Sequence, residues 1–295
     1  VLERHVRFLA LREHFARLDP ALADWHAWPE AYRDPDSPDV ARFAQDNADR
    51  ITFLAWLQWV ADLQLGEAAA RAKAMGMAIG LYRDLAVGAD RSGGETWANA
   101  AAVISGAQVG APPDIYNAAG QDWGLPPFHP GALREEAYRS FVQLLRANMR
   151  HAAGLRIDHV MGLQHLYWVP QGASPAEGAY VAYPLEDMIA ILALESHRQR
   201  CLVVGEDLGT VPVGFRDRMA QANVLSYRVL FFEREEAGEN ADGGDGFLPP
   251  ERYPELAMAV AGSHDLPALR GWWEGRDIDL RERLGAYPAP GEAER

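Results

Sequence analysis

Several features that mark whole classes of protein are missing from this sequence. Its 295 residues include a single cysteine, Cys201, so no disulfide can form within the chain. No uncharged run approaches the ~18 residues of a membrane-spanning helix, and the opening stretch VLERHVRFLALREH carries too much charge for a signal peptide. We therefore expect a cytoplasmic protein that does not bind membranes, in which Cys201 is an inert core thiol.

Positive charge is scarce as well. The chain has 28 Lys and Arg residues against 42 Asp and Glu residues, and its formal net charge is −14. A surface of this sign repels phosphate backbones and anionic membranes, and no run of basic residues provides a local exception. We therefore exclude nucleic acid as a partner.

Sequence motifs for the common cofactors are absent. There is neither the phosphate-binding pattern GxxxxGKS/T nor a dinucleotide-binding fingerprint, and GEDLGTVPVG is glycine-rich only superficially. The His and Cys residues show no spacing that is typical of metal ligands. We therefore expect a protein that uses no cofactor and no metal.

What the sequence does contain is an alternation of helical and strand-like segments, and 48% hydrophobic residues to form a core. Residues 51–65, 129–153, 184–200 and 213–223 are predicted helices, and Gly154 is expected just past the end of the second one. The predicted strands are AIGLYRDLAV, LRID, CLVVGED, SYRVLFFE and AMAVAGSHD.

Strands that are separated by helices of this length indicate βαβ units and a parallel sheet. The apolar runs CLVV and YRVLFF agree with strands that are buried on both faces. In the barrel form of this α/β architecture, functional residues lie at the carboxyl ends of the strands. Charged residues recur at these positions: Arg83, Asp84, Arg156, Asp158, Glu206, Asp207, His264 and Asp265.

Each carboxylate also has a simpler structural interpretation. Asp158 can cap the segment that follows it, Glu206 can be an exposed loop residue, and Asp265 can be an ordinary turn residue. The combination favours function, because three independent caps do not need three apolar strands with the same charged ending. We therefore expect a common site at the strand ends.

Two carboxylates that face each other suit the chemistry of glycosidic bonds. One attacks the anomeric carbon, and the other protonates the leaving oxygen and later deprotonates the incoming hydroxyl. A third carboxylate can stabilise the positive charge that develops in the transition state. Arg156 is expected to keep its neighbour Asp158 ionised, whereas the acid needs a drier site or a nearby negative charge.

The motifs in their order along the chain resemble a known enzyme family. GLYRDLAVG, GAPPDIYNAAGQDWGLPP, GLRIDHVMGLQHLYWVP, VVGEDLGTVP, SYRVLFFE and SHDLP are similar to segments of the 4-α-glucanotransferases called amylomaltase or disproportionating enzyme. The resemblance runs from about residue 51 to residue 275. It implies a (β/α)8 barrel and the transfer of α-1,4-glucan segments by double displacement through a covalent glycosyl-enzyme intermediate.

The resemblance also implies roles for individual residues. Asp158 in RIDH is similar to the family's nucleophile, Glu206 in GEDLG to its general acid/base, and Asp265 in SHD to its transition-state stabiliser. Arg156 and His264 resemble the residues that flank the nucleophile and the stabilising aspartate. Ser263 stands where the family more often has threonine, and because a hydroxyl is retained we expect little effect.

A loop tryptophan and its neighbours are the expected sugar contacts. Trp123 resembles the aromatic residue of the family's active-site loop, where its ring stacks on a glucose unit, although a loop tryptophan also serves as a lid over the local core. Trp56 and Trp59 are assigned to packing, because they fall on a predicted helix. The expected partners of the sugar hydroxyls are Asp114, Tyr116, Asn117 and Gln121.

The predicted strands cover only part of the implied barrel. Five of eight expected strands are recognisable, so the chain is expected to be a portion of a longer protein. We predict one barrel-type catalytic domain over residues 1–295, with a helical or irregular lead-in at 1–50 and a charged tail at 276–295.

Three functions are compatible with the sequence. The first is transfer between maltooligosaccharides, with glucose or a glucan as the acceptor. The second is hydrolysis of α-glucans by the same carboxylates, and the third is a non-catalytic glucan-binding protein. The motifs favour transfer, while the oligomeric state is left open.

Overall fold

The computed structural model describes residues 1–114, 117–235 and 246–285. These described residues fold into two compact units, which divide the chain between residues 215 and 216. The α-helices are α1 (Leu2–Leu18), α2 (Pro38–Asp46), α3 (Ala48–Ala74), α4 (Gly94–Ala98), α5 (Pro130–Glu135), α6 (Arg139–Met149), α7 (Leu185–Gln199), α8 (Phe215–Gln221), α9 (Leu269–Trp273) and α10 (Arg276–Arg283). The strands are β1 (Tyr82–Leu85), β2 (Ala107–Ala111), β3 (Gln121–Leu125), β4 (Gly154–Ile157), β5 (His165–Pro170), β6 (Ala179–Ala182), β7 (Leu202–Gly205), β8 (Leu225–Val229) and β9 (Ala257–Val260).

The five predicted strands are present as β1, β4, β7, β8 and β9. In the first unit β1 pairs in parallel with β4, and β4 pairs in parallel with β7. In the second unit β8 pairs in parallel with β9. The predicted α/β class with a parallel sheet is therefore confirmed, and within the described part of each unit these strands form an open sheet rather than a closed barrel.

A second sheet in the first unit was not expected from the sequence. It is antiparallel, with the order β3-β2-β5-β6. Strands β2 and β3 lie in the chain between β1 and β4, and strands β5 and β6 lie between β4 and β7. The second sheet is therefore built from the two loops that leave the carboxyl ends of β1 and β4, which is the edge where functional residues are expected.

The predicted helix over residues 129–153 is broken into α5 and α6. The break lies at Ala137 and Tyr138, whose φ angles of 52° and 58° are left-handed and cannot continue a helix. The position predicted for Gly154 was wrong as well, because this residue opens strand β4 instead of following a helix. A Cβ atom added at residue 154 would lie 2.9 Å from the ring of Tyr82, which is too close. The close packing of β1 on β4 therefore requires glycine at this position.

The amino-terminal helices form an aromatic core of their own. Its buried members are Phe8, Leu11, Phe15, Trp25, Trp28, Val40 and Trp97. Helix α3 packs on α1 through Leu54, which contacts the buried Val6 and Ala10. The assignment of Trp56 and Trp59 to packing was wrong: they are 51% and 57% exposed, because Leu54 rather than these residues lies on the buried face of α3.

The described part of the chain contains no helix that is both long and apolar enough to cross a membrane.

Helices α6 and α7, which precede β4 and β7 in the chain, are joined by a buried carboxylate. The side chain of Glu195 is 1% exposed and accepts hydrogen bonds from Arg146 Nε at 2.8 Å and Arg146 Nη2 at 2.9 Å. Arg198 Nη1 donates a third bond of 2.8 Å to it. The hydrogen bond to Arg146 outweighs burial and holds the pKa of Glu195 below its ordinary value.

We expect Glu195→Gln to lower the free energy of unfolding at pH 7 by about 1.5–3 kcal/mol, since hydrogen bonds to a charged partner are lost. A carboxyl whose pKa is lowered by folding stabilises the protein above its unfolded pKa, and this contribution is lost as the pH falls through the folded pKa. The difference from wild type should therefore shrink in acid, measured by urea unfolding at several pH values. Glu3→Gln, which removes an exposed ion pair with Arg7 on α1, is the control and should cost less than about 1 kcal/mol. An equal effect of the two substitutions would contradict the assignment.

Candidate active site

The register of the parallel strands brings charged residues to one edge of the sheet. Asp84 of β1 pairs with Arg156 of β4, and Arg156 in turn pairs with Val204 of β7. Successive side chains of a strand alternate between its two faces, so Arg156 and Asp158 point to the same face. Asp158 directly follows β4 and Glu206 directly follows β7, on strands that neighbour each other about 4.8 Å apart.

Arg156 joins two carboxylates at this edge. Its side chain is 6% exposed, and Nη1 donates to both carboxylate oxygens of Asp84 at 2.7 and 2.9 Å. Nη2 lies 2.8 Å from Asp158 Oδ1. Burial disfavours the charged guanidinium, but the bond to Asp84 and the charges of the surrounding carboxylates raise the pKa of Arg156. A permanent positive charge therefore stands directly beside Asp158.

Glu206 has a different environment from Asp158. It is 8% exposed, and its Oε2 and Oε1 accept hydrogen bonds of 2.8 Å from the backbone N–H groups of His159 and Leu208. Burial raises the pKa of Glu206, assisted by the negative charge of Asp158, although the two backbone bonds and Arg156 oppose this. Glu206 therefore keeps its proton to a higher pH than an ordinary glutamate, as a general acid requires.

His159 is a site residue that the sequence reasoning did not select. Its backbone is left-handed, with φ 48° and ψ 58°, and this turn directs its N–H toward Glu206. Its imidazole ring meets the ring of Trp123 edge to face, with 5.3 Å between the ring centres. Burial, together with the charge of His165, lowers the pKa of His159 to about 4, so the ring is neutral at pH 7. The available signal was its position directly after Asp158 in RIDH.

The predicted sugar contacts lie on β3 and on the loop before it. Trp123 is half-buried on β3, and its Nε1 donates to Gln121 Oε1 at 2.8 Å. In the loop, Asp114 Oδ1 accepts from the N–H of Asn117 at 2.6 Å, and Asn117 Oδ1 accepts from the N–H of Ala119 at 3.2 Å. Asp114, Asn117 and Gln121 therefore hold local turns or orient Trp123. Tyr116 lies outside the described residues.

Asp84, Asp158 and His159 also border a cavity of about 320 Å³ in the first unit. The other side chains that line the cavity are largely apolar. They come from helices α5, α6 and α7, from the segment after β4 and from β5. Examples are Leu133, Phe141, Leu163, Leu166 and Met188. Asp84 and Asp158 thus stand at the border of a concave, mostly apolar surface, which is the usual form of a ligand site.

His264 and Asp265 belong to the second unit. They follow β9, and His264 Nε2 lies 3.5 Å from Asp265 Oδ2. Both side chains are about two-thirds exposed, at 69% and 66%. The backbone N–H of Asp265 donates to Ser263 Oγ at 3.2 Å, which gives the hydroxyl at this position a local structural role.

Among residues 1–114, 117–235 and 246–285, no group of three or more His, Cys, Asp or Glu side chains is arranged to hold a metal ion.

Gly205 determines the spacing between β7 and the turn after Asp158. A Cβ atom at this position lies 2.8 Å from Val160 Cγ1 and about 3.0 Å from two further atoms of the same side chain. We expect Gly205→Ala to displace Val160 and the adjoining His159, and to lower the free energy of unfolding by about 1–3 kcal/mol through overpacking.

Urea unfolding of the two proteins checks this expectation. The matched control is Gly106→Ala, because a Cβ atom there has nothing within 4 Å. If Gly205→Ala is no less stable than Gly106→Ala, the close contact with Val160 is not restrictive and the expectation is wrong.

A family profile described as 4-alpha-glucanotransferase matches residues 1–293. The 4-alpha-glucanotransferase of Mycobacterium tuberculosis is 43% identical over 271 residues, which are 92% of this chain and 37% of that protein. The chain therefore spans little more than a third of the length of this curated relative.

The crystal structure of amylomaltase from Corynebacterium glutamicum matches with a TM-score of 0.82 and 37% identity, over 99% of this chain and 38% of that chain. Amylomaltase from Streptococcus agalactiae, solved in complex with acarbose, matches with a TM-score of 0.77, 97% coverage of this chain and 58% of that chain. At 19% identity this second match bears on the fold alone. Together they confirm the predicted glycosidase barrel class, of which this chain carries a part.

Proposed function

The chain belongs to the 4-alpha-glucanotransferase family, and on this premise we propose that its protein transfers α-1,4-glucan segments between maltooligosaccharides. The observation that carries the proposal is the contrast between two neighbouring carboxyl groups. Arg156 places a positive charge beside Asp158, whereas burial raises the pKa of Glu206. Such a pair separates the roles of nucleophile and acid that retaining transfer requires.

In the first step, Asp158 attacks the anomeric carbon of the donor sugar and forms a covalent ester. The bond from that carbon to the leaving oxygen breaks, and Glu206 gives its proton to this oxygen. Asp158 and Glu206 directly follow neighbouring parallel strands, and retaining transfer requires two carboxyl groups about 5–5.5 Å apart. The released fragment carries the new free 4-hydroxyl group.

In the second step, the 4-hydroxyl of an acceptor sugar attacks the anomeric carbon of the ester, and Glu206 takes the proton of this hydroxyl. The charge of Asp158 is one of the factors that raise the pKa of Glu206. Formation of the ester removes this charge, so the pKa of Glu206 falls when the residue must act as a base. Asp158 leaves as a carboxylate, and both groups return to their starting states.

The other predicted site residues enter the proposal as a third catalytic carboxylate, Asp265, and as substrate contacts. Asp265 stabilises the oxocarbenium-like transition state, with His264 beside it. Trp123 provides a stacking surface for a glucose ring. Gln121 orients this indole, since it accepts the hydrogen bond from Trp123 Nε1. The remaining proposed sugar contacts are Arg156, Asp114, Tyr116 and Asn117.

Hydrolysis by the same carboxylates is the second candidate, because water can replace the acceptor sugar in the second step. Family membership favours transfer. A non-catalytic glucan-binding protein has no need for the raised pKa of Glu206. We also propose that residues 1–295 contribute to one catalytic domain, including the lead-in at 1–50 and the charged tail at 276–295, and that the protein is cytoplasmic.

The proposed function is tested with maltotriose. We expect the protein, expressed from its complete reading frame, to produce glucose together with maltopentaose and longer oligomers, separated by size. Glucose and maltose alone would assign it to hydrolysis. The absence of any product would leave a glucan-binding protein and overturn the proposal.

Glu206→Gln tests the acid/base role. We expect kcat with maltotriose to fall by about 10²–10⁴-fold, because amide nitrogen cannot transfer a proton in this way. In wild type, kcat/KM should fall as the pH rises through the raised pKa of Glu206, since the acid form is lost, and the substitution should remove this dependence. The control is Glu135→Gln on α5, an exposed glutamate outside the site. Wild-type activity in Glu206→Gln would exclude this residue from catalysis.

A further inference from the structure

We propose that Asp84 is a positioning residue that holds the nucleophile Asp158 in place through the guanidinium of Arg156. The inference rests on the proposed function, and it adds a residue to the site for which the sequence comparison supplied no role. Asp84 lies on β1, 72 positions before Arg156 in the chain, and its hydrogen bonds to the site go to this arginine.

The first observation is the division of the guanidinium between two carboxylates. Nη1 donates to both carboxylate oxygens of Asp84 within 2.9 Å, and Nη2 lies 2.8 Å from Asp158 Oδ1. A planar guanidinium that is fixed at both terminal nitrogens cannot rotate about its own axis. Asp84 therefore determines the direction in which Nη2 points.

The second observation is that this direction is imposed by the sheet. Asp84 and Arg156 are paired residues of adjacent parallel strands, so their side chains leave the sheet side by side. The backbone N–H of Asp158 donates to the carbonyl oxygen of Leu85 at 2.9 Å, which ties the nucleophile's main chain to the end of β1. Both the backbone and the side chain of Asp158 are thus located relative to β1.

The third observation concerns burial and charge. The side chain of Arg156 is 6% exposed, whereas Asp84 is 40% exposed and Asp158 33%. A buried guanidinium that loses one anion turns toward the other or toward water, because an incompletely paired buried charge is unfavourable. Without Asp84, Arg156 would therefore move relative to Asp158, and an error of about 1 Å in a reacting group can reduce the rate on the order of 10²-fold.

Asp84→Asn in the protein expressed from its complete reading frame is the direct test. We expect kcat with maltotriose to fall about 10–100-fold while KM changes less than about twofold, because the group that moves acts in the transition state. Asp62→Asn is the matched control: it removes an aspartate that pairs with Arg150 and His151 away from the site. Thermal unfolding of both variants measures any general loss of structure.

A second donor identifies which carboxyl group is affected. α-Maltosyl fluoride has a leaving group that needs little protonation, so its rate of ester formation depends on Asp158 more than on Glu206. We expect the Asp84→Asn defect to persist with this donor, whereas Glu206→Gln should recover much of its rate of ester formation. A defect that disappears with the fluoride would overturn the inference.

A double-mutant cycle tests whether the effect passes through Arg156. Lysine at 156 keeps the charge but has no fork to bridge two carboxylates. The Asp84→Asn substitution should therefore lower kcat in wild type and have almost no further effect in Arg156→Lys. Independent, multiplicative effects would overturn the inference.

The remaining outcomes are also decisive. If wild type turns over neither donor, the proposed function fails regardless of Asp84, whereas an active wild type with an equally active Asp84→Asn variant refutes the inference alone. A kcat loss that Asp62→Asn reproduces at equal thermal stability would likewise refute it. If Asp84→Asn does not fold, Asp84→Glu retains the charge and displaces the anchor by one methylene, so a folded variant with wild-type kcat would refute the positioning role.

Discussion

The geometry of the site depends on the buried guanidinium of Arg156 between two carboxylates. The side chain of Arg156 is nearly inaccessible to solvent. Its charge is stabilised there because Nη1 pairs with the carboxylate of Asp84 and Nη2 with that of Asp158. The parallel pairing of β1 with β4 creates this arrangement, since it sets Asp84 next to Arg156. A slip of one residue in that register would turn one of the two side chains to the opposite face of the sheet.

The same edge gives two carboxyl groups contrasting properties. Asp158 lies against a cation and is a third exposed, whereas Glu206 is buried and receives two backbone N–H groups. The left-handed turn at His159 connects the two groups. His159 directly follows Asp158 in the chain, and its backbone N–H donates a hydrogen bond to Glu206. Small changes in this turn would therefore affect both partners of the proposed reaction.

The loops that leave β1 and β4 bring the second sheet to the site. Strand β3 carries Trp123, whose ring meets His159, and β2 joins β3 to β5 across the antiparallel sheet. Trp123 is thus held by regular hydrogen-bonded structure rather than by a free loop, and Gln121 fixes its indole nitrogen. This construction places an aromatic surface beside His159 with little loss of conformational freedom on binding, as the proposed sugar site requires.

The sequence by itself determined the alternation of helices with five strands, and the charged residues that end those strands. These are local properties: apolar runs define buried strands, and the two-residue period of a strand puts Arg156 and Asp158 on one face. The tertiary structure decided the rest. The pairing of Arg156 with Asp84, the bond from His159 to Glu206, the break between α5 and α6, the antiparallel sheet and the exposure of Trp56 and Trp59 came only from the folded chain. The physical reason is that strand register and helix orientation are set by packing between residues far apart in the chain, which no local pattern records.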